Sequence, residues 1–509
     1  MTQDKDALPA LTGVPLLLAG LVLALANFMV VLDTTIANVS LPHIAGSLGI
    51  SSSQGTWIIT SYAVAEAICV PLTGWLAGRF GAVRTFIVGM IGFGVFSVLC
   101  GLSGSLAMIV LCRVGQGLCG GPLMPLSQTL LLRIFPKEQQ GQAMGIWAMT
   151  TVVAPVIGPI LGGTLSDNWS WNWIFFINVP VVALCAFGAL RLLSQAETPT
   201  QRLTVDGIGL ALMVLWIGAL QVMLDLGREH DWFGDGFIVA LAVIAAIGFL
   251  VFLAWELTET QPIVDLRVFR HRGFSVGVAS LSFAFGAFFS TMVIIPQWLQ
   301  SSLGYTATYS GYVTAFTGVS AVVMSPIVAK LTEKVDPRLL VCLGILWLGL
   351  ASLMRVHWTS GADFWTLALP QLMQGFGLPF FIVPTTIIAL GAVEPEETAS
   401  AAGVMNFART MAGAIGTSLS STWWYDSARV ARSEIVGSLH SVPTQTALEA
   451  GGFSLGQVRS TVERLVEQES MALATTHLFL VAALIFAGAA MLIWLSPRPT
   501  REVDSSAAH

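Results

Sequence analysis

Charged side chains are scarce in this chain of 509 residues, of which only 10% are Asp, Glu, Lys or Arg. Soluble globular domains carry about 25% charged residues, so this composition excludes an ordinary soluble protein. Hydrophobic residues make up 55% of the chain, and the mean hydropathy is +0.78. We therefore predict a protein integral to a membrane. The net charge of −6 gives no reason to expect a nucleic-acid partner.

The motifs of ATP-driven and hydrolytic machinery are also missing. The chain contains no Gly-Lys dipeptide, which excludes a Walker-type phosphate loop, and it contains no HExxH. We expect no enzyme, no metal and no cofactor, so uphill transport would draw on an ion gradient, which supplies about 2.3 kcal/mol per charge at 100 mV. All six cysteines fall in apolar runs, where they are predicted to be small core residues.

Long apolar runs dominate what is present. A helix needs about 20 apolar residues to cross the hydrocarbon core, and fourteen such runs occur. They lie near residues 14–36, 54–74, 84–103, 106–128, 142–164, 172–191, 207–225, 236–255, 274–298, 309–329, 339–355, 365–390, 402–422 and 474–495. The sequence therefore predicts an all-α membrane protein with fourteen transmembrane helices.

Basic residues in the connections predict the orientation, because cytoplasmic segments are enriched in Lys and Arg. With the N-terminus inside, the cytoplasmic segments hold 15 basic residues, including all four lysines, against 6 in the outside segments. The connection 391–400 disagrees, since its charged residues are three glutamates. The overall bias outweighs it, and both termini are predicted to be cytoplasmic.

An internal repeat divides the chain, as is common in transporters. The matches are PLTGWLAGR (71–79) with PIVAKLTEK (326–334), Gln116 with Gln374, Gly145 with Gly403, and Gly158 with Gly416. We predict a six-helix bundle over 1–195, two inserted helices with linkers over 196–264, and a second six-helix bundle over 265–509. The second bundle includes a long outside loop at 423–473.

Four ionisable residues, Asp33, Glu66, Arg113 and Arg409, fall inside predicted spans. Each costs about 2.5–3.5 kcal/mol at the bilayer centre, so they should face the bundle interior or a water-filled cavity. Arginine keeps its proton, whereas Asp33 and Glu66 can carry one. Alternatives stay open: a structural ion pair for the arginines, a wetted helix end for Asp33, and a hydrogen-bonded core carboxyl for Glu66. For Asp225, at the outer end of span seven, a solvated helix end is favoured.

Small and polar residues accompany both arginines at helical spacing. The face around Arg113 contains Gln116, Gly117, Gly120 and Met124, and the face around Arg409 contains Asn406, Thr410, Gly413, Gly416, Thr417 and Ser420. Such stripes suit close helix packing beside a cavity, and aromatic rings suit flat apolar solutes. The candidates for a substrate cavity are Tyr62, Gln116, Trp147 and Asn406.

Span five contains APVIGPILGG (154–163). Proline removes a helical hydrogen bond and kinks the helix, and glycine lets neighbouring helices approach closely. The stretch predicts an interface or a bending segment, with a purely structural kink as the alternative.

Taken together, these stretches resemble the major facilitator superfamily, and within it the fourteen-span drug:proton antiporters. The motifs that carry the resemblance are LDTTIANVSLP (32–42) in span one, GWLAGRFGAVR (74–84) between spans two and three, RVGQG (113–117) in span four and GPILGG (158–163) in span five. SQGTWIITSYAVAEAICVPLTGWLAG (53–78) and WNWIFFINVP (171–180) are similar to the EmrB-type pumps of Gram-negative inner membranes.

The resemblance implies roles for individual residues. Proton coupling would involve Asp33, Glu66, Arg113 and Arg409. The gating-loop motif places Gly74, Arg79, Gly81 and Arg84, and the antiporter motif, associated with export, places Gly158, Pro159, Gly162 and Gly163. The loop motif usually has an acidic residue where this chain has Gly78, which puts a charge relay there in doubt. Glu66 has no acidic counterpart in the EmrB-type relatives, so it would be a second proton site or a cation-recognition group special to this chain.

The function that the resemblance implies is proton-coupled export of small hydrophobic drugs, uncouplers and some antibiotics across the bacterial inner membrane. The two halves would rock around a midplane cavity. The implied partners are a periplasmic membrane-fusion adaptor and a TolC-type outer-membrane channel, with 423–473 either contacting the adaptor or forming a polar cover. An importer or facilitator of a specific metabolite is the alternative, which GPILGG opposes. A channel or receptor is less favoured, since no pore ring is visible.

Overall fold

The structure is a computed structural model that describes residues 12–50, 52–201, 206–227, 230–260, 262–332, 334–394, 397–438 and 454–497. The described residues form helices and their connections, with no strand among them. The predicted all-helical architecture is therefore confirmed for this part of the chain.

The α-helices of the N-terminal half and of the insertion are α1 Val14–Leu48, α2 Ser52–Cys69, α3 Thr73–Phe80, α4 Ala82–Gly101, α5 Leu106–Gly120, α6 Leu123–Ile134, α7 Lys137–Asn168, α8 Trp173–Phe176, α9 Asn178–Leu192, α10 Gly207–Leu226 and α11 Gly236–Thr258. Those that follow are α12 Arg272–Ser301, α13 Ala307–Leu331, α14 Pro337–Met354, α15 Phe364–Gly391, α16 Thr398–Ser438 and α17 Leu455–Leu492. Short 3-10 helices span Ser194–Ala196, Trp232–Gly234, Leu266–Arg270, Arg355–His357 and Ile493–Leu495.

Within the described ranges, eleven helical segments are long and apolar enough to cross a membrane. A twelfth is added if Trp57–Cys69 and Thr73–Phe80, which meet at an angle of 59°, form one bent span. The remaining long helices are α7 with 32 residues and α16 with 41 residues. Both carry polar residues along their length, so apolar composition alone does not reach the predicted fourteen.

Both ends of the described chain lie at one end of the bundle, which we call the terminal end. Ser496 accepts a hydrogen bond from Arg338 at the start of α14 (Nη1–O 3.1 Å). The start of α1 packs on the end of α6, since a Cβ on Gly20 would lie 2.8 Å from the Phe135 ring. The opposite side of the molecule, where α1 ends and α16 extends, is called the far end.

Helix contacts form two bundles. In the first, α1 packs on α7 and α9, and α5 packs on α2 and α4; in the second, α12 packs on α16 and α17, and α15 packs on α13 and α14. The most extensive contact between the bundles is the one between α7 and α13. The inserted helices α10 and α11 pack on each other, and α10 also contacts α2 and α16. The boundaries at 195 and 265 stay predictions.

The segment predicted as a long loop, 423–473, is largely helical in its described part. α16 continues to Ser438, α17 begins at Leu455, and 439–453 lie outside the described residues. Ser454 and Gln457 form a capping box that starts α17. The helical conformation agrees with the helix formers of VRSTVERLVEQE, and the position of this connection outside the membrane stays a prediction.

The two helical extensions form a hairpin, which we call the far-end hairpin (423–438 and 455–473). Arg432 of α16 pairs with Glu463 of α17 (Nη2–Oε1 3.0 Å). At the base of the hairpin, the buried Trp424 indole donates to Thr475 (Nε1–Oγ1 2.8 Å). These contacts join the extensions into one element rather than leaving them as separate segments.

Candidate functional site

The ion pair between Asp33 and Arg113 lies at the centre of the first bundle. Asp33 of α1 is 2% exposed and Arg113 of α5 is 0% exposed, and Arg113 Nη1 lies 2.6 Å from Asp33 Oδ2. α1 continues to Leu48, beyond the predicted end at 36. Asp33 is therefore a buried residue inside a helix rather than a wetted helix end.

Two amides complete the hydrogen bonding of Asp33. Gln116 Nε2 donates to Asp33 Oδ1 (3.0 Å), and Gln116 Oε1 accepts from Arg113 Nη1 (2.8 Å). Asn178 Nδ2 also donates to Asp33 Oδ1 (2.6 Å) and lies 3.0 Å from Ser97 Oγ. Three donors therefore converge on the two oxygens of one carboxylate. Gln116 therefore belongs to the charge network and not to an open cavity.

Sequence reasoning missed Asn178 as a site residue. Its only local signal was that it is one of two asparagines in the otherwise apolar stretch WNWIFFINVP. It starts α9, and Ser97 below it donates in turn to the Phe175 carbonyl (2.9 Å). The network therefore ties α1 to α4, α5 and α9.

Tyr62 covers the Arg113 guanidinium. The tyrosine is 1% exposed, and Arg113 Cζ lies 4.1 Å from the centroid of its ring, within the range of a cation–π contact. Arg113 Nε donates to the Ile58 carbonyl of the same helix (3.1 Å). The Tyr62 hydroxyl and Arg113 Nη2 have no hydrogen-bond partner among the described residues. Tyr62 thus seals the network instead of lining an open cavity.

Glu66 differs from Asp33 in its surroundings. It lies one turn after Tyr62 in α2, and its side chain is half-buried. No described residue forms a hydrogen bond or ion pair with its carboxylate, although the charges of both Arg113 and Arg409 act on it. The alternative of a hydrogen-bonded core carboxyl is therefore not what the structure describes. Asp225 is exposed at the end of α10.

Arg409 of α16 is 5% exposed and lies between aromatic rings. Its Cζ is 5.6 Å from the Trp147 ring centroid and 5.4 Å from that of Phe285, and its Nη2 contacts the Met124 sulfur. Trp147 is 0% exposed, and its indole donates to Ser127 (Nε1–Oγ 2.8 Å). The structure therefore places Trp147 in the packed core, where it supports Arg409, and not on a cavity wall.

The two bundles are in contact toward the terminal end. Asn406 of α16 donates from Nδ2 to Gln128 Oε1 of α6, and both residues are buried. A Cβ on Gly74 of α3 would lie 2.8 Å from the Ser400 Cα. On α7, a Cβ on Gly141 would lie 3.1 Å from the Ala329 carbonyl oxygen. Asn406 is thus an interface residue, and this side of the molecule is closed between the bundles.

The gating-loop motif turns between α3 and α4 at Gly81, whose φ is +93°, a conformation that favours glycine. The Glu197 carboxylate caps α4 there, accepting from the backbone N–H groups of Val83 (2.9 Å) and Arg84 (3.0 Å). Arg84 Nε lies 3.8 Å from the same carboxylate. Arg79 lies over the Trp75 ring, 5.6 Å from its centroid. Glu197 thus places an acidic group at this turn, where the chain has Gly78 instead of the acidic residue that is usual in the loop motif.

The antiporter motif lies against α1 just beyond Asp33. A Cβ on Gly158 would lie 2.7 Å from Thr35 Cβ, and one on Gly162 would lie 3.1 Å from the Ile36 carbonyl oxygen. Gly163 has no atom within 4 Å of that position. The Pro159 side chain is outside the described part of the structure. Gly158 and Gly162 thus let α7 approach α1.

An open surface cavity of about 560 Å³ lies elsewhere, on α13 and the start of α15, and Tyr309, Tyr312 and Val319 on its wall are exposed. It is lined by Tyr309, Tyr312, Ala315, Phe316, Val319 and Phe364. Its volume falls in the range of small-molecule sites, about 300–1,000 Å³. None of the predicted site residues lines it, so the ion-pair network and this apolar cavity are separate features.

Comparison with known proteins agrees with this architecture. The sequence profile of the Major Facilitator Superfamily matches residues 23–417. The chain is 42% identical to the "Multidrug export protein EmrB" of Escherichia coli (strain K12) over 98% of both chains. It is 40% identical to the "Fatty acid resistance protein FarB" of Neisseria gonorrhoeae over 96% of this chain and 98% of that one. The human organic anion transporter MFSD10 (TETRAN) has a TM-score of 0.56 at 14% identity, covering 93% of this chain and 100% of that chain, which shows the fold alone.

Proposed function

This chain belongs to the Major Facilitator Superfamily, and we propose that it exports hydrophobic toxic compounds and drugs across the bacterial inner membrane in exchange for protons. The proposal is supported by 40–42% identity, along nearly the whole chain, to proteins named for multidrug export and fatty acid resistance. The observation that carries proton coupling is the buried Asp33–Arg113 pair with its two amide partners. Ionisable residues inside a membrane bundle mark ion and substrate pathways.

In the proposed topology the chain spans the membrane fourteen times. α7 and α16 are the spans added to the twelve apolar ones, and at about 1.5 Å per residue both exceed a 30 Å core. The terminal end faces the cytoplasm, as the excess of basic residues in the connections favours. The structure then corresponds to a state closed to the cytoplasm.

Protonation of Asp33 is the proposed coupling step. Once Asp33 is neutral, its attraction for Arg113 falls, and one of its oxygens becomes a donor instead of an acceptor. The network that joins α1, α5 and α9 is weakened as a result. α1 contacts Gly158 of α7 through Thr35, and α7 is the main contact with the second bundle. A proton on Asp33 therefore acts on the interface between the halves through two helix contacts.

The proposed partners are a periplasmic adaptor and an outer-membrane channel of the TolC type, which would make the chain the inner-membrane part of a tripartite pump. The far-end hairpin supports this, because it is a helical element that extends past the apolar spans on the side assigned to the periplasm. The hydrophobic substrates are supported by the aromatic cavity on α13 and α15.

Inside-out membrane vesicles test the proposal. A drug added to vesicles with an acidic interior should be taken up while the interior loses protons, because the exporter exchanges the two. Asp33→Asn should abolish drug-driven proton loss, whereas Asp426→Asn, an exposed acid of the far-end hairpin, should leave it unchanged. Wild-type proton loss in Asp33→Asn would remove Asp33 from the coupling. Drug movement out of these vesicles would favour the importer.

A further inference from the structure

Arg355 is a second fully buried arginine, in the C-terminal bundle, and the proposed coupling step does not use it. It begins the 3-10 helix that follows α14 and is 0% exposed. Its Nη2 donates to the Pro370 carbonyl (3.3 Å) and to the side-chain oxygens of Gln371 (2.9 Å) and Gln374. No carboxylate of a described residue forms an ion pair with it.

The polar side-chain atoms of Arg355 and Gln371 that lack a partner are all hydrogen-bond donors. Arg355 Nε and Nη1 and Gln371 Nε2 have no partner among the described residues. The indole Nε1 of Trp298 has none either, and this ring stacks on Trp358 at a centroid distance of 5.6 Å. Buried donors in proteins normally find acceptors. A cluster with a surplus of donors and one positive charge is suited to an anion.

The two bundles differ in the partners of their buried arginine at positions that the internal repeat matches. A shift of 258 residues relates Gly145 to Gly403 and Gly158 to Gly416. The polar residues that the same shift pairs are Arg113 with Gln371 and Gln116 with Gln374. The second bundle thus retains the glutamine and receives its arginine from a neighbouring helix, but no carboxylate of a described residue pairs with that arginine.

Nearby aromatic rings offset the charge of Arg355 only in part. Its Cζ lies 5.8 Å from the Trp358 ring centroid and 5.5 Å from that of Phe479. Both distances are close to the limit of about 6 Å for a cation–π contact. A buried cation without a counter-charge is strongly unfavourable, so the rings and the three oxygens leave a negative partner still required.

We propose that the cluster of Arg355 and Gln371, beside the Trp358 ring, binds a compact anion of single charge, which is either a halide ion or the carboxylate group of a small acidic solute. One guanidinium neutralises one negative charge. The unpartnered N–H groups of Arg355 and Gln371 supply hydrogen bonds to the ion, and the aromatic rings exclude water. The site lies in the second bundle and is independent of the Asp33 network.

Thermal unfolding of the purified full-length protein in detergent tests the proposal without requiring transport. Sodium chloride and sodium acetate are titrated against sodium gluconate, a bulkier hydrophilic anion, at constant ionic strength. We expect a saturable rise of the melting temperature with chloride, with acetate or with both; chloride alone indicates a halide site, and a response to acetate indicates a carboxylate site. Arg355→Met should lose the rise, while Arg429→Met, at an 81% exposed side chain, should keep it.

The order of stabilities separates an anion site from a structural hydrogen-bond centre. In gluconate, Arg355→Met should melt at or above the wild-type temperature, because an uncompensated charge has been removed. Gln371→Glu places a carboxylate beside Arg355 with little change of shape, so it should raise the melting temperature in gluconate and abolish the anion response. Gln371→Glu also tests the proposal if Arg355→Met does not fold. No anion response in the wild type, or a response that persists in the Arg355 and Gln371 variants, would overturn the proposal.

Discussion

At the scale of single residues, Asp33 and Arg113 show how much a membrane-buried charge depends on its surroundings. The carboxylate has an arginine and two amides as donors, and the guanidinium has a carboxylate, two further oxygens and an aromatic face. Such a pair contributes little compared with well-packed apolar residues, but each partner becomes costly when the other is removed.

Removal of Arg113 alone should therefore be more harmful than removal of both charges. Arg113→Gln is expected to lower the free energy of unfolding by about 3–5 kcal/mol. The double variant Asp33→Asn, Arg113→Gln should recover part of that loss, because no buried charge remains unpaired. Denaturant unfolding in micelles measures both. As a control, Arg429→Gln at the exposed Asp426 pair should cost at most about 1 kcal/mol. A double variant no more stable than the single one would contradict the argument.

Glu66 is the acidic residue near the network that remains half-buried and without a hydrogen-bond partner among the described residues. If it is a second proton site, Glu66→Gln should reduce the number of protons released per drug molecule, and Glu66→Asp should retain most of them. Simultaneous measurement of drug uptake and proton release in inside-out vesicles gives the ratio. An unchanged ratio, together with weaker binding of cationic drugs only, would assign Glu66 to cation recognition.

At the scale of elements, the turn between α3 and α4 depends on a residue far along the chain. Glu197 follows α9, yet it accepts hydrogen bonds from the backbone N–H groups of Val83 and Arg84 in the first turn of α4 and lies beside the Gly81 turn. A carboxylate at a helix N-terminus satisfies otherwise unpaired donors and interacts favourably with the helix dipole. The loop motif therefore remains anchored although Gly78 stands at its usual acidic position.

Glu197→Ala should release this turn. The expected cost is about 1 kcal/mol, as for loss of a helix cap, and amide hydrogen exchange at Val83 and Arg84 should become faster. Glu434→Ala, at an exposed acid of the far-end hairpin, should leave exchange at these two residues unchanged. Equal exchange in Glu197→Ala and the wild type would show that the turn is held by other contacts.

At the scale of the whole molecule, the two bundles are closed against each other near the terminal end. Gly141 of α7 is one of the close contacts, since a Cβ there would lie 3.1 Å from Thr332 Oγ1 after α13. Alternating access requires this contact to separate during each cycle. The interface is therefore expected to be a moving surface, in contrast to the packed interior of each bundle.

A disulfide between cysteines introduced at Gly141 and Thr332 should block that movement. Oxidation of Gly141→Cys, Thr332→Cys should stop drug export, and a reductant should restore it. The Arg432→Cys, Glu463→Cys pair within the far-end hairpin is the matched control and should transport in both redox states. Background reaction should be small, because the native cysteines are buried except for the half-buried Cys119. Full export by the oxidised Gly141–Thr332 pair would contradict separation at the terminal end.

The sequence by itself determined the membrane class, the helical architecture and the charged residues worth examining, because apolar run length and intramembrane charge are local properties of the chain. It also identified Asp33, Arg113 and Gln116, which the structure brings into one network. Only the tertiary structure decided that Trp147 and Asn406 are buried, that Asn178 and Glu197 complete two sites, and that 423–473 contains a hairpin. Those outcomes depend on contacts between residues more than 80 positions apart in the chain, or on helix formation without high hydropathy. Sequence periodicity does not report such contacts, because it describes each helix face without specifying which helix packs against it.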